Sequence, residues 1–297
     1  MSETVRVTDP RAGGPSATLR AYVELTKLRI IELLLTTTLP AMILAAEGWP
    51  GTWLAIATLI GGTLSAAGAN VINQVMDADI DAIMRRTRGR PIPSERIASR
   101  DAMIFGVALG VAGFVWLAVT TNLLAASLST AGLLFYVFVY TSWLKRSTTQ
   151  NIVIGGAAGA VPVLVGWAAV TGTLAAPAFV MFAIVFFWTP PHFWALALRW
   201  EDDYRAAGVP MLPVVVGVPK TLNQMAVYSV ITVAVSLLLI PWMGWIYFVS
   251  ALVLGSALVA GAFALRMRPE QAMRFFTATN IYLAGLFLAI AVDALLL

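Results

Sequence analysis

Apolar runs long enough to span a bilayer recur along the chain, separated by polar connections of two alternating kinds. A bilayer core needs about 20 apolar residues per helix. Nine runs meet that length, near 28–46, 52–72, 102–120, 123–143, 151–171, 176–197, 225–243, 245–265 and 275–297. Residues 1–21 are polar, rich in Ser, Thr, Pro, Gly and Arg, and lack the apolar core of a secretory signal. They read as a flexible cytoplasmic tail. The pattern predicts an all-α, polytopic membrane protein with a single transmembrane domain over 22–297.

The connections divide by charge. Those after the first, third, fifth and seventh runs are short and hold no Lys or Arg. The other connections and the N-terminal region hold all 19 basic residues. Under the positive-inside rule the basic side is cytoplasmic. Nine helices then place the N-terminus in the cytoplasm and the C-terminus outside. Acidic clusters follow the second and the sixth run, which suggests two four-helix halves, about 22–146 and 147–268, plus a ninth helix near 275–297.

Composition narrows the class. Hydrophobic residues make up 60% of the chain and charged residues 11%, against about a quarter charged in soluble domains. No cysteine is present, which excludes disulfides, thiolate metal sites and a cysteine nucleophile. The net charge of +4 is accounted for by the basic loops, so it carries no nucleic-acid signal. The bilayer is the expected partner. The N-terminal tail carries Glu3 and Asp9, unlike a mitochondrial transit peptide, and a bacterial plasma membrane is the expected location.

The chemistry concentrates behind the second run. Asn73, Asp77 and Asp81 are four residues apart, so on a helix they drift by only roughly 40° per step and form one stripe. Asp79 falls on the other face. Arg85, Arg86, Arg88 and Arg90 follow within ten residues. Carboxylate and amide oxygens on one face suit a hard divalent cation such as Mg²⁺, which keeps waters and binds substrate phosphates. A second acidic cluster, Asp202-Asp203-Tyr204, follows the sixth run and Arg199. Its placement on the same side makes a second metal site the expectation. Lys145-Arg146 and Asn151 add cations and an amide to that side.

His192, the only histidine, sits after Pro190-Pro191, which should bend or break the sixth helix. Imidazole ligates iron or acts as a base near neutral pH. A packed, hydrogen-bonded histidine beside a proline kink is the plainer reading.

These residues together resemble the UbiA-type intramembrane prenyltransferases, and within them the branch that farnesylates heme. The resemblance rests on Asn73-xxx-Asp77-xxx-Asp81 with Met84-Arg85-Arg86-Thr87-Arg88-Gly89-Arg90-Pro91, on Tyr140-Thr141 through Lys145-Arg146 to Asn151-Ile152, on Gly166-Trp167, on Thr189-Pro190-Pro191-His192-Phe193-Trp194, and on Asp202-Asp203-Tyr204 through Pro210-Met211-Leu212-Pro213. It spans roughly residues 22 to 297. Leu28 and Val163 stand where many members have proline, away from the metal motifs.

The resemblance implies nine transmembrane helices around a central cavity. It implies Mg²⁺ bound by Asn73, Asp77 and Asp81, with Asp203 and Asp202 completing a diphosphate site. It implies farnesyl diphosphate and heme B as substrates, and heme O and diphosphate as products. Arg85, Arg90, Lys145 and Arg146 are then candidates to hold the diphosphate, with Asn151, Arg199 and Tyr204 beside them. His192 becomes a heme contact, and Phe187, Trp188, Phe193 and Trp194 become candidate cation stabilisers. Docking with a heme-modifying enzyme or a terminal oxidase is left open. Two rivals stand beside this reading. A UbiA-type prenyltransferase of an aromatic acid is disfavoured by Pro191-His192-Phe193. A non-enzymatic heme or lipid transporter is disfavoured by Asp and Arg clustering on one side without an outside gate.

Overall fold

The computed structural model describes residues 14–297, and the side chains within that range except those of 29–35. All regular structure among the described residues is helical. The expected tail therefore falls largely outside them, but from Pro15 the chain is already a helix, α1 (Pro15–Thr26). Pro15 suits a first helical position, where no N–H is needed. Ala21 and Leu25 bury one face of α1 against Val71, Ile92, Ile97 and Ala102.

The long elements follow the apolar runs: α2 (Leu28–Ala45), α3 (Thr52–Met76), the short α4 (Ala78–Ile83), α5 (Ser99–Thr120) and α6 (Leu123–Leu134). Helix α6 continues as a π-wound stretch, Phe135–Leu144, into a last turn, α7 (Lys145–Ser147). Then come α8 (Asn151–Thr171), α9 (Ala176–Arg199), the short α10 (Glu201–Ala206) and α11 (Leu212–Val216), α12 (Val218–Leu237), α13 (Trp245–Met267) and α14 (Ala272–Leu296). Helices adjacent in sequence pack side by side: α3 on α5, α5 on α6, α6 on α8, α8 on α9, α9 on α12, α12 on α13 and α13 on α14. Helix α2 packs against α3, α8 and α14 and so closes the ring. Among the described residues, eight helical rods are long and apolar enough to cross a membrane, and α2 adds the shorter apolar stretch Thr36–Ala45. Exposed Val111, Val115, Val119, Phe138 and Trp245 on their outer faces suit lipid. This is a multi-pass membrane protein.

Glycine permits a close helix contact. A Cβ on Gly68 of α3 would lie 2.7 Å from the Gly106 carbonyl oxygen and 2.8 Å from the Gly110 nitrogen of α5. Small residues let membrane helices approach backbone to backbone. Gly68→Ala is expected to force α3 from α5 and to destabilise by about 1–3 kcal/mol. A lower unfolding midpoint in detergent measures it; an unchanged midpoint would mean that α3 and α5 can separate freely.

Three elements differ from the sequence pattern. Helix α9 runs unbroken through Pro190 and Pro191. Packing from α8, α12 and α14 surrounds it, and membrane bundles tolerate proline where neighbours enclose the freed backbone groups. Helix α12 begins at Val218, well before the apolar run, because Gly217 at φ 78° and Pro219 start it among polar residues. The π winding of Phe135–Leu144 has no periodicity signal in so uniformly apolar a segment. At the other end of the bundle, Asp293, buried in α14, accepts from Gly244 N at 2.5 Å and Tyr247 N at 3.3 Å. It satisfies N–H groups that the start of α13 leaves unpaired.

Candidate active site

Two amides of α3 fix the junction between α1 and α2. Gln74 Nε2 donates to the Leu25 carbonyl at 2.6 Å, and Asn70 Nδ2 donates to the Thr26 carbonyl at 3.1 Å. These are carbonyls that a helix end leaves unpaired. Lys27 follows in the left-handed region, φ 53° and ψ 51°, uncommon for a residue other than glycine. Its Nζ lies 3.1 Å from Asn73 Oδ1.

The acidic stripe lies on the buried face. Asn73, Asp77 and Asp81 are 3%, 0% and 1% exposed, while Asp79 is exposed. Helix α3 ends at Asp77, yet Asp77 N still donates to Asn73 O at 2.9 Å and Asp81 N to Asp77 O at 2.7 Å. The stripe thus keeps its register while the chain passes from α3 to α4.

Cations close over it. Lys145 Nζ lies 2.5 Å from Asp77 Oδ2, and Arg90 Nη1 lies 2.6 Å from Asp81 Oδ2. Arg146 forks onto Asp79 at 2.7 and 2.8 Å, and that hydrogen bonding draws the Asp79 carboxyl down to about 2. The Arg146 guanidinium also lies 3.8 Å from Asp77 Oδ1. Burial, and then repulsion from Arg90, bring the Lys27 ammonium down to about 7 against the attraction of Asp81. Asn73 Nδ2 donates to Asp77 Oδ2 at 2.7 Å and to Thr141 Oγ1 at 3.0 Å. Thr141 in turn donates to the Tyr136 carbonyl five residues back, at 2.8 Å, a bond that the π winding permits. Both Asn73 amide hydrogens are thereby used, and its oxygen is turned toward Lys27.

The second cluster is tied to the first by the segment between them. Buried Asp203 accepts from Arg85 Nε and from the Arg86 backbone N, each at 3.0 Å. Burial pushes its carboxyl up, but these donors together outweigh burial and hold it below the ordinary value. The hydroxyl of buried Tyr204 accepts from Arg86 Nη2 at 3.4 Å. Arg96 forks onto Glu24 of α1 at 2.9 and 3.1 Å and pins the segment's far end. Asp81 and Asp203 therefore share one end of the bundle, bridged by residues 85–90.

Not every candidate joins this network. Asp202 is exposed, and Arg199 is exposed with its guanidinium 5.5 Å from the Trp200 ring. Asn151 is fully buried at the start of α8, with neither amide atom hydrogen-bonded. His192 is stacked between Trp188 and Phe276 at 4.1 and 4.3 Å, and its Nδ1 meets Thr279 Oγ1 at 2.8 Å. Because Thr279 donates its hydroxyl to the Phe276 carbonyl, the imidazole is the donor in that pair. Lys27, Arg86, Tyr136 and Thr141 are site residues that sequence reasoning passed over as candidates. Lys27 read as one more cytoplasmic anchor, and only the Tyr140-Thr141 pair in the family pattern pointed to the π-wound stretch.

Beneath the polar cluster lies a narrow apolar cavity of about 170 Å³. Ser65, Ala69 and Asn70 of α3, Gly132 of α6, Tyr136 and Pro162 of α8 are among its walls. On α3 the lining runs from Thr58 to Asn70, about 18 Å along the helix axis. Asn70 stands one turn from Asn73, so the cavity ends at the acidic stripe. The aromatic side chain at that end is Tyr136, stacked on Tyr140 at 5.3 Å. The aromatics of α9 expected in this place lie outside the lining.

An apolar cavity capped by paired carboxylates and cations is an arrangement that suits an intramembrane prenyltransferase. Residues 34–291 match the UbiA prenyltransferase family, and the chain belongs to that family. Within it, the chain stands with the protoheme IX farnesyltransferases. It is 53% identical over 290 residues to protoheme IX farnesyltransferase 1 of Saccharopolyspora erythraea, covering 96% of this chain and 92% of that one. It is 51% identical over 284 residues to protoheme IX farnesyltransferase of Mycolicibacterium smegmatis, covering 94% and 92%. The fold is shared with a digeranylgeranylglyceryl phosphate synthase, with TM-score 0.77, 22% identity and coverage of 94% and 99%. It is shared too with an Archaeoglobus fulgidus UbiA homologue bound to DMAPP and Mg²⁺, with TM-score 0.65, 16% identity and coverage of 91% and 99%.

Proposed function

We propose that this chain transfers the farnesyl group of farnesyl diphosphate to a vinyl group of heme B, with addition of water, giving heme O and diphosphate. The observation that carries the reading is the cation-covered carboxylate pair at the mouth of the apolar tube. The relatives' acceptor, protoheme IX, supplies the second substrate. Nine spans with the N-terminus and the site cytoplasmic and the C-terminus outside, in a bacterial plasma membrane, fit the one-sided placement of the basic residues.

The isoprenoid tail lies in the tube between α3, α6 and α8, and the diphosphate meets the cluster above. Lys27, Arg85, Arg90, Lys145 and Arg146 surround it, with the Asn151 amide and the Tyr204 hydroxyl at hand. Four of these cations already grip carboxylates, so a diphosphate exchanges one anionic partner for another at little desolvation cost. Asn73, Asp77 and Asp81 would hold Mg²⁺, with Asp203 serving the second cluster. Two features support that fit: the donors are hard oxygens, and Asp77 Oδ1 is buried without a hydrogen-bond donor. Among the described residues no three His, Cys, Asp or Glu side chains gather around one point, which leaves coordination positions to substrate oxygens and water. Bound Mg²⁺ supplies charge neutralisation of the leaving diphosphate.

Cleavage of the C–O bond leaves an allylic cation at the top of the tube. The ring of Tyr136, in the lining at that end, is placed to stabilise it. Apolar walls keep water from it until the heme vinyl group attacks, and water then captures the new cation and releases a proton, leaving a hydroxyl. Thr141→Val removes the acceptor that orients Asn73 and leaves an amide hydrogen unpaired. It is expected to lower kcat/KM about tenfold and to raise the Mg²⁺ concentration for half-maximal rate. An unchanged Mg²⁺ dependence would remove Thr141 from the site.

The direct test incubates membranes carrying the protein with labelled farnesyl diphosphate, Mg²⁺ and heme B. Labelled heme O is the expected product. Label in a 4-hydroxybenzoate product instead, or no transfer at all, would overturn the assignment.

A further inference from the structure

The apolar cavity below the acidic stripe owes part of its α3 wall to small residues, with Gly62, Ala66 and Ala69 on one face. Gly62 differs from the glycine beside it. A Cβ on Gly61 would lie 2.4 Å from Leu117 Cγ of α5, and Leu117 is fully buried, so packing keeps Gly61 bare. Among the described residues, nothing lies within 4 Å of a Cβ on Gly62. Glycine within a helix is less favourable than alanine, and no described neighbour requires it here. What the missing side chain leaves is room inside the cavity that Gly62 lines.

That room has a definite depth. Measured along α3 from Asn70 at the top of the cavity, Ala66 lies about 6 Å down and Gly62 about 12 Å down. An extended prenyl chain advances about 1.25 Å per backbone bond. With its first carbon at the top, the second isoprene unit covers about 5–9 Å and the third about 10–14 Å. Ala66 therefore stands beside the second unit and Gly62 beside the third. Leu133 of α6 and Val161 and Val165 of α8 give the cavity other apolar walls, and burying hydrocarbon against such walls is favourable.

We infer that Gly62 is a specificity-determining residue: it admits the third isoprene unit and so makes farnesyl diphosphate bind more tightly than geranyl diphosphate. The inference rests on the seating of the tail in this cavity and adds what sets its preferred length. A geranyl tail ends above Gly62 and gains nothing from the bare position. A farnesyl tail fills it. A side chain at Gly62 then excludes only the longer tail, whereas a larger side chain at Ala66 meets both. A glycine kept for helix packing alone would give no such dependence on length.

The test titrates the unreactive thiolodiphosphates of geranyl and farnesyl, with Mg²⁺, into the full chain in nanodiscs and reads Kd by calorimetry. The wild type, Gly62→Leu and Ala66→Leu are compared. The wild type is expected to bind the farnesyl analogue about tenfold or more tightly than the geranyl one. Gly62→Leu is expected to erase that advantage, with geranyl affinity within about twofold of the wild type, which also reports an intact site. Ala66→Leu is expected to weaken both analogues about fivefold or more. A farnesyl advantage that survives Gly62→Leu overturns the inference, as does equal weakening of both analogues by that variant. No farnesyl advantage in the wild type, or geranyl affinity untouched by Ala66→Leu, overturns it as well. Failure of the heme assignment reads differently: the length dependence of binding then stands, while labelled farnesyl diphosphate and heme B give no labelled heme O with the wild type.

Discussion

Asp77→Ala is expected to abolish heme O formation, with a loss of roughly a thousandfold or more, because it removes a carboxylate that would hold the Mg²⁺ that neutralises the leaving diphosphate. The same holds for Asp81→Ala. Each carboxylate is almost wholly buried and paired, Asp77 with Lys145 and Asp81 with Arg90. Removing one partner of a buried pair strands the other charge. Lys145 and Arg90 remain partly exposed, so both can turn toward water and insertion into the membrane is expected to survive. Asp79→Ala is the internal control. That exposed carboxylate pairs with Arg146 on the surface, an arrangement worth about 0–1 kcal/mol, and less than a tenfold change in rate is expected. Heme extraction and chromatography read the product, and an unfolding midpoint in detergent checks the fold. Normal heme O formation by Asp77→Ala would reject the placement of the diphosphate site.

Asp203→Ala is expected to cost about a hundredfold in kcat/KM, through misplacement of the segment that carries Arg85 to Arg90. One carboxylate holds both the Arg85 side chain and the Arg86 backbone. Without it the segment keeps its tie to Glu24 through Arg96 but loses the end nearest the cluster. The rise should appear mainly in KM for farnesyl diphosphate, with heme affinity little changed. Arg85→Ala and the double variant complete the cycle. Residues acting through one contact give non-additive losses, so the double variant should lose little more than Asp203→Ala alone. Fully additive losses would show that the two side chains work independently and that no latch exists.

The buried face of the acidic stripe was legible because a four-residue spacing can present only one face of a helix. The second cluster was legible only in part: the run Asp202-Asp203-Tyr204 announced a site, but which carboxylate turns inward depends on where α10 starts, and Asp203 is the buried one. The π-wound stretch was not legible, since its ten residues are uniformly apolar or aromatic and carry no phase. Lys27 was invisible as a site residue because its meeting with Asn73 needs the left-handed turn between α1 and α2, which no local preference of Lys announces.

By itself the sequence determined the helical class, the rods that span the membrane and the face on which Asn73, Asp77 and Asp81 stand. Each of these follows from composition, run length or helical period, which act over a few turns of chain. Tertiary structure decided which cation meets which carboxylate, that α9 stays whole through two prolines, and that Tyr136 rather than the α9 aromatics crowns the tube. Those outcomes depend on contacts between residues far apart in the chain, such as Arg85 with Asp203 and Lys145 with Asp77, and only packing of one helix against another brings them together.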